Sequence, residues 1–176
     1  MEDNEKIYAV LKDMYARSWN DANDIIARAQ NPLTALSVII AILMYIAPKV
    51  YDFPKMSLEN APVLGGFYLL LDATLICSGL TCYYLLWAFR PGGYNYKTIR
   101  SPEKIIALFS SENDGESLLP ELIRDYKIAT ENNLKNNRLR HECIRKATET
   151  IILAVAFCFP CGLIFCIIVS IIGLNR

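Results

Sequence analysis

The separation of apolar and charged residues into long blocks is the feature that most constrains the fold of this chain. Residues 33–51, 63–89 and 150–174 form three apolar runs, whose only charged side chains are Lys49 and Asp72. A hydrocarbon core of about 30 Å is spanned by about 20 helical residues, and each run is close to that length or longer. The sequence therefore predicts an all-α membrane protein with three transmembrane helices.

The segments around the first span predict an amphipathic helix and a short loop. Residues 3–29 place apolar side chains on one side at helical spacing and Asp, Glu, Lys and Asn on the other. We expect "QNP" to break this helix, because Asn caps a following helix and Pro fits its first turn. Residues 1–32 are thus predicted to be an N-terminal amphipathic helix outside the membrane, and residues 52–62 a polar loop between the first two spans.

The largest polar segment, residues 90–149, is predicted to be helical. "SPEKIIALF" is typical of a short helix that Ser101 caps. From Ser117 a helical pattern of apolar residues continues, without a break, into the third span. The chain would end with residues 150–176, which hold the third transmembrane helix and the C-terminus.

The distribution of Lys and Arg predicts the topology. Residues 90–149 contain 11 of the 18 Lys and Arg residues, whereas the 52–62 connection contains only Lys55. Because cytoplasmic loops carry the excess of Lys and Arg, residues 90–149 are predicted to be cytosolic. Three spans then place the N-terminus inside the cell and the C-terminus outside.

The third span contains a Cys-Phe-Pro-Cys motif that permits two interpretations. A membrane thiol oxidoreductase could use Cys158 and Cys161, but reactive CxxC pairs lie where a thiolate is stabilised, usually at a helix N-terminus. This pair lies about ten residues into an apolar helix. Small residues recurring every fourth position favour close helix packing instead. That predicted packing stripe is Ala154, Cys158, Gly162, Cys166 and Ser170.

An acidic residue inside the second span is a second candidate for function. Asp72 lies seven residues from both Gly65 and Gly79, so the three share one face of a helix. Ionisable residues within transmembrane helices are costly and usually functional. A face with small residues and one acid predicts an oligomer, an ion path or a pairing with a cation; the bland alternative is an acid satisfied by a backbone group or by another span.

Basic residues close to the third span are a third candidate. Arg138, Arg140, Arg145 and Lys146 would bring positive charge next to the membrane surface. They predict contacts with anionic lipid headgroups, or with a phosphate-bearing ligand held between the helices of an oligomer. No phosphate-binding glycine loop, catalytic triad or metal-ligand spacing is present in the sequence, and nucleic-acid binding is not predicted. We therefore predict a protein that is not an enzyme and has no resident cofactor.

The arrangement of segments resembles that of the small membrane effectors of bacterial anti-phage defence, in particular the transmembrane effectors of Pycsar systems. The resemblance rests on a second span ending in Arg90-Pro91, on "ELIRDYKIATENNLKNNRLRHECIRKATETI", and on Lys146-Ala147 before the third span. In those effectors two spans precede a cytosolic helical region, and a third span follows it.

The resemblance implies an oligomeric effector in the bacterial inner membrane. An infection signal, either a cyclic nucleotide or a partner protein, would make it disrupt membrane integrity. Two alternatives are a non-catalytic membrane anchor that recruits a soluble defence protein and the thiol oxidoreductase described above. The partners expected are membrane lipids and further copies of the chain.

Overall fold

Three long α-helices make up the described part of the chain in a computed structural model. The structure describes residues 2–50, 61–90, 96–97 and 118–174. The helices are α1 (Glu2–Val50), α2 (Ala61–Phe89) and α3 (Leu118–Leu174). No strand occurs within these described ranges, so the all-α prediction is confirmed for them. The predicted "SPEKIIALF" helix lies outside the described residues. The predicted 52–62 connection also lies outside them, except for its last two residues, which belong to α2.

All three helices are long and apolar enough to cross a membrane. The apolar stretch of α3 has the highest mean hydropathy, 2.9, against 2.0 for α1 and 1.7 for α2. The continuous helical pattern of the sequence agrees with α3, which runs from the polar segment through Thr150 to Leu174 without interruption. Glu121 in the first turn of α3 and Lys49 in the last turn of α1 each have the charge that the helix dipole favours.

The prediction that "QNP" breaks the first helix was wrong. Helix α1 continues through Pro32 to Val50. A proline inside a helix loses one backbone hydrogen bond and crowds the preceding turn, at a cost of about 3 kcal/mol. Here Pro32 is fully buried and lies in line with the buried Ala29 and Leu36. Burial of this apolar line offsets the local preference of the sequence for a break.

The chain divides into two compact units, each of which we describe separately. The polar unit comprises residues 1–28 and 88–142, and the apolar unit comprises residues 29–87 and 143–176. In the apolar unit, α1, α2 and α3 contribute to one core that contains Ile46, Phe67, Cys161, Phe165 and Ile168.

Buried residues of α3 in the apolar unit recur at alternating intervals of three and four. They are Ile144, Ala147, Ile151, Ala154, Cys158, Cys161, Phe165 and Ile168. This seven-residue repeat keeps one seam of the helix against its neighbours, as in coiled coils. Phe165 anchors the seam, because its ring lies 6.4 Å from that of Phe67 and 6.3 Å from that of Tyr45, centroid to centroid.

The N-terminal part of α1 buries only some of its predicted apolar face. Ser18, Ala22 and Ile25 are buried, whereas Ile7 and Val10 are about half exposed, at 47% and 58%. The amphipathic role of this segment therefore stays a prediction.

Candidate functional site

Asp72 lies near the middle of α2, on the face turned away from the core of the apolar unit. It is about 4.5 Å along the helix axis from Leu75, the central residue of α2. Its side chain is exposed. It makes no hydrogen bond or ion pair with any residue that the structure describes. The carboxyl group is therefore left without a protein partner among those residues.

The two glycines predicted to share a face with Asp72 are also exposed. A Cβ added at Gly65 or Gly79 would meet no atom within 4 Å. Neither glycine is thus needed for packing within the part of the chain that the structure describes. The line that they form with Asp72 is open along α2.

The opposite face of α2 is buried and bears hydroxyl groups. Thr74 donates a hydrogen bond to the carbonyl of Leu70 at 2.8 Å. Thr81 donates to the carbonyl of Cys77 at 2.9 Å, and its hydroxyl lies 2.9 Å from that of Thr150. Hydroxyl-to-backbone hydrogen bonds of this kind let polar side chains be buried in an apolar bundle. The buried face therefore fixes which side of α2 looks outward.

The predicted small-residue stripe of α3 is divided between the core and the surface. Ala154 and Cys158 are buried, Gly162 is half-buried, and Cys166 and Ser170 are exposed. Three of these residues, Cys158, Gly162 and Cys166, line an apolar groove of about 510 Å³ together with residues of α1 such as Ala35 and Ile39.

Cys161, which lies off that stripe, is in the core and only 2% exposed. Both cysteines of the Cys-Phe-Pro-Cys motif are free thiols. They follow the buried seam of α3 rather than lining a polar site. The structure thus places the pair among apolar side chains.

The four predicted basic residues lie in different surroundings. Arg138 is exposed, whereas Arg140 is only 7% exposed and projects from the opposite side of the helix. Arg145 pairs with Glu149 at 3.2 Å, and both side chains are mostly exposed. The ammonium of Lys146 lies 5.8 Å from the centroid of the Tyr84 ring. The first two belong to the polar unit and the last two to the apolar unit.

Arg140 and Asn137 are the centre of a buried hydrogen-bond network in the polar unit. Arg140 donates through Nε to the carbonyl of Ala88 and through Nη1 to the hydroxyl of Tyr96, both at 3.1 Å. Asn137 accepts a hydrogen bond from the same hydroxyl. Its Nδ2 donates to the carbonyl of Ser18 at 2.7 Å. The network therefore joins α3 to α1, to the end of α2 and to the chain that follows α2.

Asn133, one turn before Asn137 on α3, forms hydrogen bonds with both the amide and the carbonyl of Lys97. Its Oδ1 accepts from the Lys97 amide at 3.0 Å, and its Nδ2 donates to the Lys97 carbonyl at 3.4 Å. The adjacent Tyr96 ring lies 5.5 Å from that of Trp19. The short segment of Tyr96 and Lys97 is thus bound by side chains of α3 and α1.

Three tyrosines pack edge to face in the same unit. The ring of Tyr126 lies 5.4 Å from that of Tyr8 and 5.6 Å from that of Tyr15. Burial, followed by the hydrogen bond with Tyr8, raises the pKa of Tyr126 to about 12. Ionisation of this phenol is therefore disfavoured by its surroundings.

Part of this network follows a helical pattern that is visible in the sequence. Asn133, Asn137 and Arg140 follow the helical spacing of four and three, so they share one face of α3. Their partners Ser18 and Tyr96 are distant in sequence, and no local pattern indicates them. The network also means that Arg140 is committed to contacts within the chain.

The described residues contain no group of three or more His, Cys, Asp or Glu side chains that could hold a metal ion. Comparison of the chain with models of protein families, with curated proteins and with solved structures finds no match.

Proposed function

We propose that this protein is an oligomeric inner-membrane effector of a bacterial antiviral defence system, which answers an infection signal by disrupting membrane integrity. The observation that supports this best is an outward-facing carboxyl group, that of Asp72, near the middle of an apolar helix. A helix that served only as an anchor would gain nothing from such a residue. A charged group at the centre of a bilayer costs about 2.5–3.5 kcal/mol, even on the lower scales.

The proposed topology places the signal-receiving part in the cytosol. Lys and Arg are concentrated in residues 90–149, which supports a cytosolic location for them, with the N-terminus inside and the C-terminus outside. In this arrangement the polar unit would meet the cyclic nucleotide or partner protein. Helix α3 contains residues of both units in one unbroken helix, which supports a physical connection between signal and membrane.

Fewer of the four predicted basic side chains are open to a lipid headgroup or an anionic signal than the sequence predicts. Arg140 is engaged in the buried network, and Arg145 pairs with Glu149. Arg138 is the exposed cation that we favour for a lipid headgroup or an anionic signal. We therefore propose Arg138 alone, rather than all four basic residues together, as the contact for such a group.

The effector proposal is tested by membrane leakage in cells that express the full chain together with its trigger. Potassium efflux and loss of membrane potential should follow the trigger within the infection cycle. Cells that express the chain without the trigger are the control and should keep intact membranes. Intact membranes in triggered cells, with the protein present in the membrane fraction, would contradict the proposal.

A second candidate function is a membrane anchor that recruits a soluble defence protein. It is favoured by apolar side chains that are exposed in the polar unit, among them Val10, Met14 and Leu139. Exposed apolar side chains of this kind mark interaction sites when they form a continuous patch. The anchor predicts stable co-purification with one soluble protein and no leakage, whereas the effector predicts leakage.

A further inference from the structure

The outward face of α2 carries a line of exposed residues from Gly65 to Gly79. Gly65, Asp72 and Gly79 lie on it at seven-residue spacing, and Leu69 and Ile76 flank it at 70% and 63% exposure. The hydroxyl-bearing face that packs within the apolar unit lies on the other side. Nothing in the described part of the chain covers this line.

The carboxyl group of Asp72 has no possible salt bridge at its own depth. The apolar stretches 33–48, 61–89 and 150–170 contain no Lys, Arg or His. A neighbouring copy of the chain would bring the same three stretches, so it could not supply a cation either. An ionised Asp72 must therefore meet water or a mobile cation, because lipid cannot stabilise the charge.

A second copy of the chain is the occupant that fits this face. Copies inserted with the same topology bring their Asp72 side chains to one depth, so a symmetric assembly collects them around an axis. The glycines one heptad above and below leave open space at each Cβ, which permits close approach of helix backbones. The acyl chains of lipid offer no polar group at that depth.

We propose that copies of the chain meet through the Gly65–Asp72–Gly79 line of α2, and that their Asp72 carboxylates form a ring that lines a hydrated path for monovalent cations. Rings of Asp or Glu select cations in channels, and apolar constrictions close such paths by excluding water. Leu69 and Ile76 provide apolar side chains next to the ring. The proposal that this path conducts cations rests on the effector function proposed above. The proposal that copies meet through this face does not depend on that function.

Disulfide cross-linking in native membranes tests the contact face without a trigger. The exposed Cys82 and Cys166 are first replaced by Ala. Gly65→Cys and Gly79→Cys then place one thiol on the outward line, where added atoms meet no neighbour. Ser78→Cys, on the buried face of the same helix, is the matched control.

We expect copper phenanthroline to produce covalent dimers of Gly65→Cys and Gly79→Cys but not of Ser78→Cys. If neither outward variant dimerises while both are present in the membrane fraction, the contact face is wrong. Dimers of all three variants would also overturn it, because cross-linking would then be independent of the face.

Potassium efflux from triggered cells tests the carboxylate ring. Asp72→Asn keeps the size and polarity of the side chain and removes its charge, and Asp24→Asn is the same change outside the apolar stretches. Even at the dielectric constant of water, one carboxylate raises the occupancy of a cation about 4 Å away roughly fivefold. We therefore expect potassium efflux to slow at least roughly fivefold in Asp72→Asn and to stay unchanged in Asp24→Asn.

The outcomes separate this inference from the proposed function. Leakage that is equally fast in wild type and in Asp72→Asn would overturn the cation path and leave the effector function standing. Absence of leakage in triggered wild-type cells would overturn the effector function and the cation path with it. The cross-links alone then decide whether the outward line of α2 is the contact face.

Discussion

Replacement of Arg140 by Ala should strongly destabilise the polar unit. Arg140 is 7% exposed and donates hydrogen bonds at 3.1 Å to the Ala88 carbonyl and to the Tyr96 hydroxyl. Ala88 lies in the last turn of α2, where backbone carbonyls have no partner within the helix. The guanidinium therefore satisfies a helix end that the Ala side chain would leave unpaired.

The magnitude follows from the two hydrogen bonds. Each hydrogen bond to a charged group contributes about 1.5–3 kcal/mol, so losing both should lower the free energy of unfolding by about 3–6 kcal/mol. Arg140→Lys keeps the charge but loses the planar fork of donors, and we expect an intermediate loss. Arg138→Ala is the matched control, because Arg138 is exposed on the same helix; its effect should stay within about 0.5 kcal/mol.

Tryptophan fluorescence in detergent micelles provides a local measurement of this unfolding. The ring of Trp19 lies 5.5 Å from that of Tyr96, the residue that Arg140 holds. The chain has two tryptophans, so a Trp87→Phe background makes Trp19 the only reporter. Equal shifts of the denaturant midpoint for Arg140→Ala and Arg138→Ala would mean that the Arg140 hydrogen bonds do not stabilise the polar unit.

Three further predictions concern the packing of each unit. Asn133→Ala should cost about 1–3 kcal/mol, because it removes two hydrogen bonds to the backbone, and the same Trp19 assay would detect it. Replacing Cys158 and Cys161 together by Ala should preserve membrane leakage, since both are buried in an apolar core; complete loss of function with normal expression would favour the thiol oxidoreductase. Phe67→Ala should cost about 3–5 kcal/mol in thermal unfolding, because Phe67 is fully buried in the core. Ile152→Ala, at 61% exposure on α3, should change it little, and equal losses would mean that the buried positions are misassigned.

The three spans and the length of α3 could be predicted from the sequence because they depend on local pattern. Apolar runs of span length and an unbroken helical period are properties of neighbouring residues. The prediction of a helix break at "QNP" was wrong because the outcome there depends on distant residues. Local preference favours a helix end before Pro32, but burial of Pro32 in the apolar unit outweighs it, and burial depends on residues far along the chain.

The candidate sites were predictable in part for the same reason. The seven-residue spacing of Gly65, Asp72 and Gly79 establishes that they share a face, but not whether that face points inward or outward. The four basic residues close to the third span are predicted to act together only because they are close in sequence. The helical period places Arg140 on the opposite side of α3 from Arg138. Arg140 also has a hydrogen-bond partner, Tyr96, that lies 44 residues away in sequence.

Measurement of the membrane potential in single infected cells shows whether the protein depolarises the membrane and whether Asp72 is needed for it. Cells carrying the full chain with its genomic neighbours would be followed with a potential-sensitive dye, and cells carrying Asp72→Asn would be compared at equal expression. We expect the potential to collapse before phage lysis in wild-type cells and to persist in Asp72→Asn cells. A potential that holds in wild-type cells after the signal has formed would contradict this expectation.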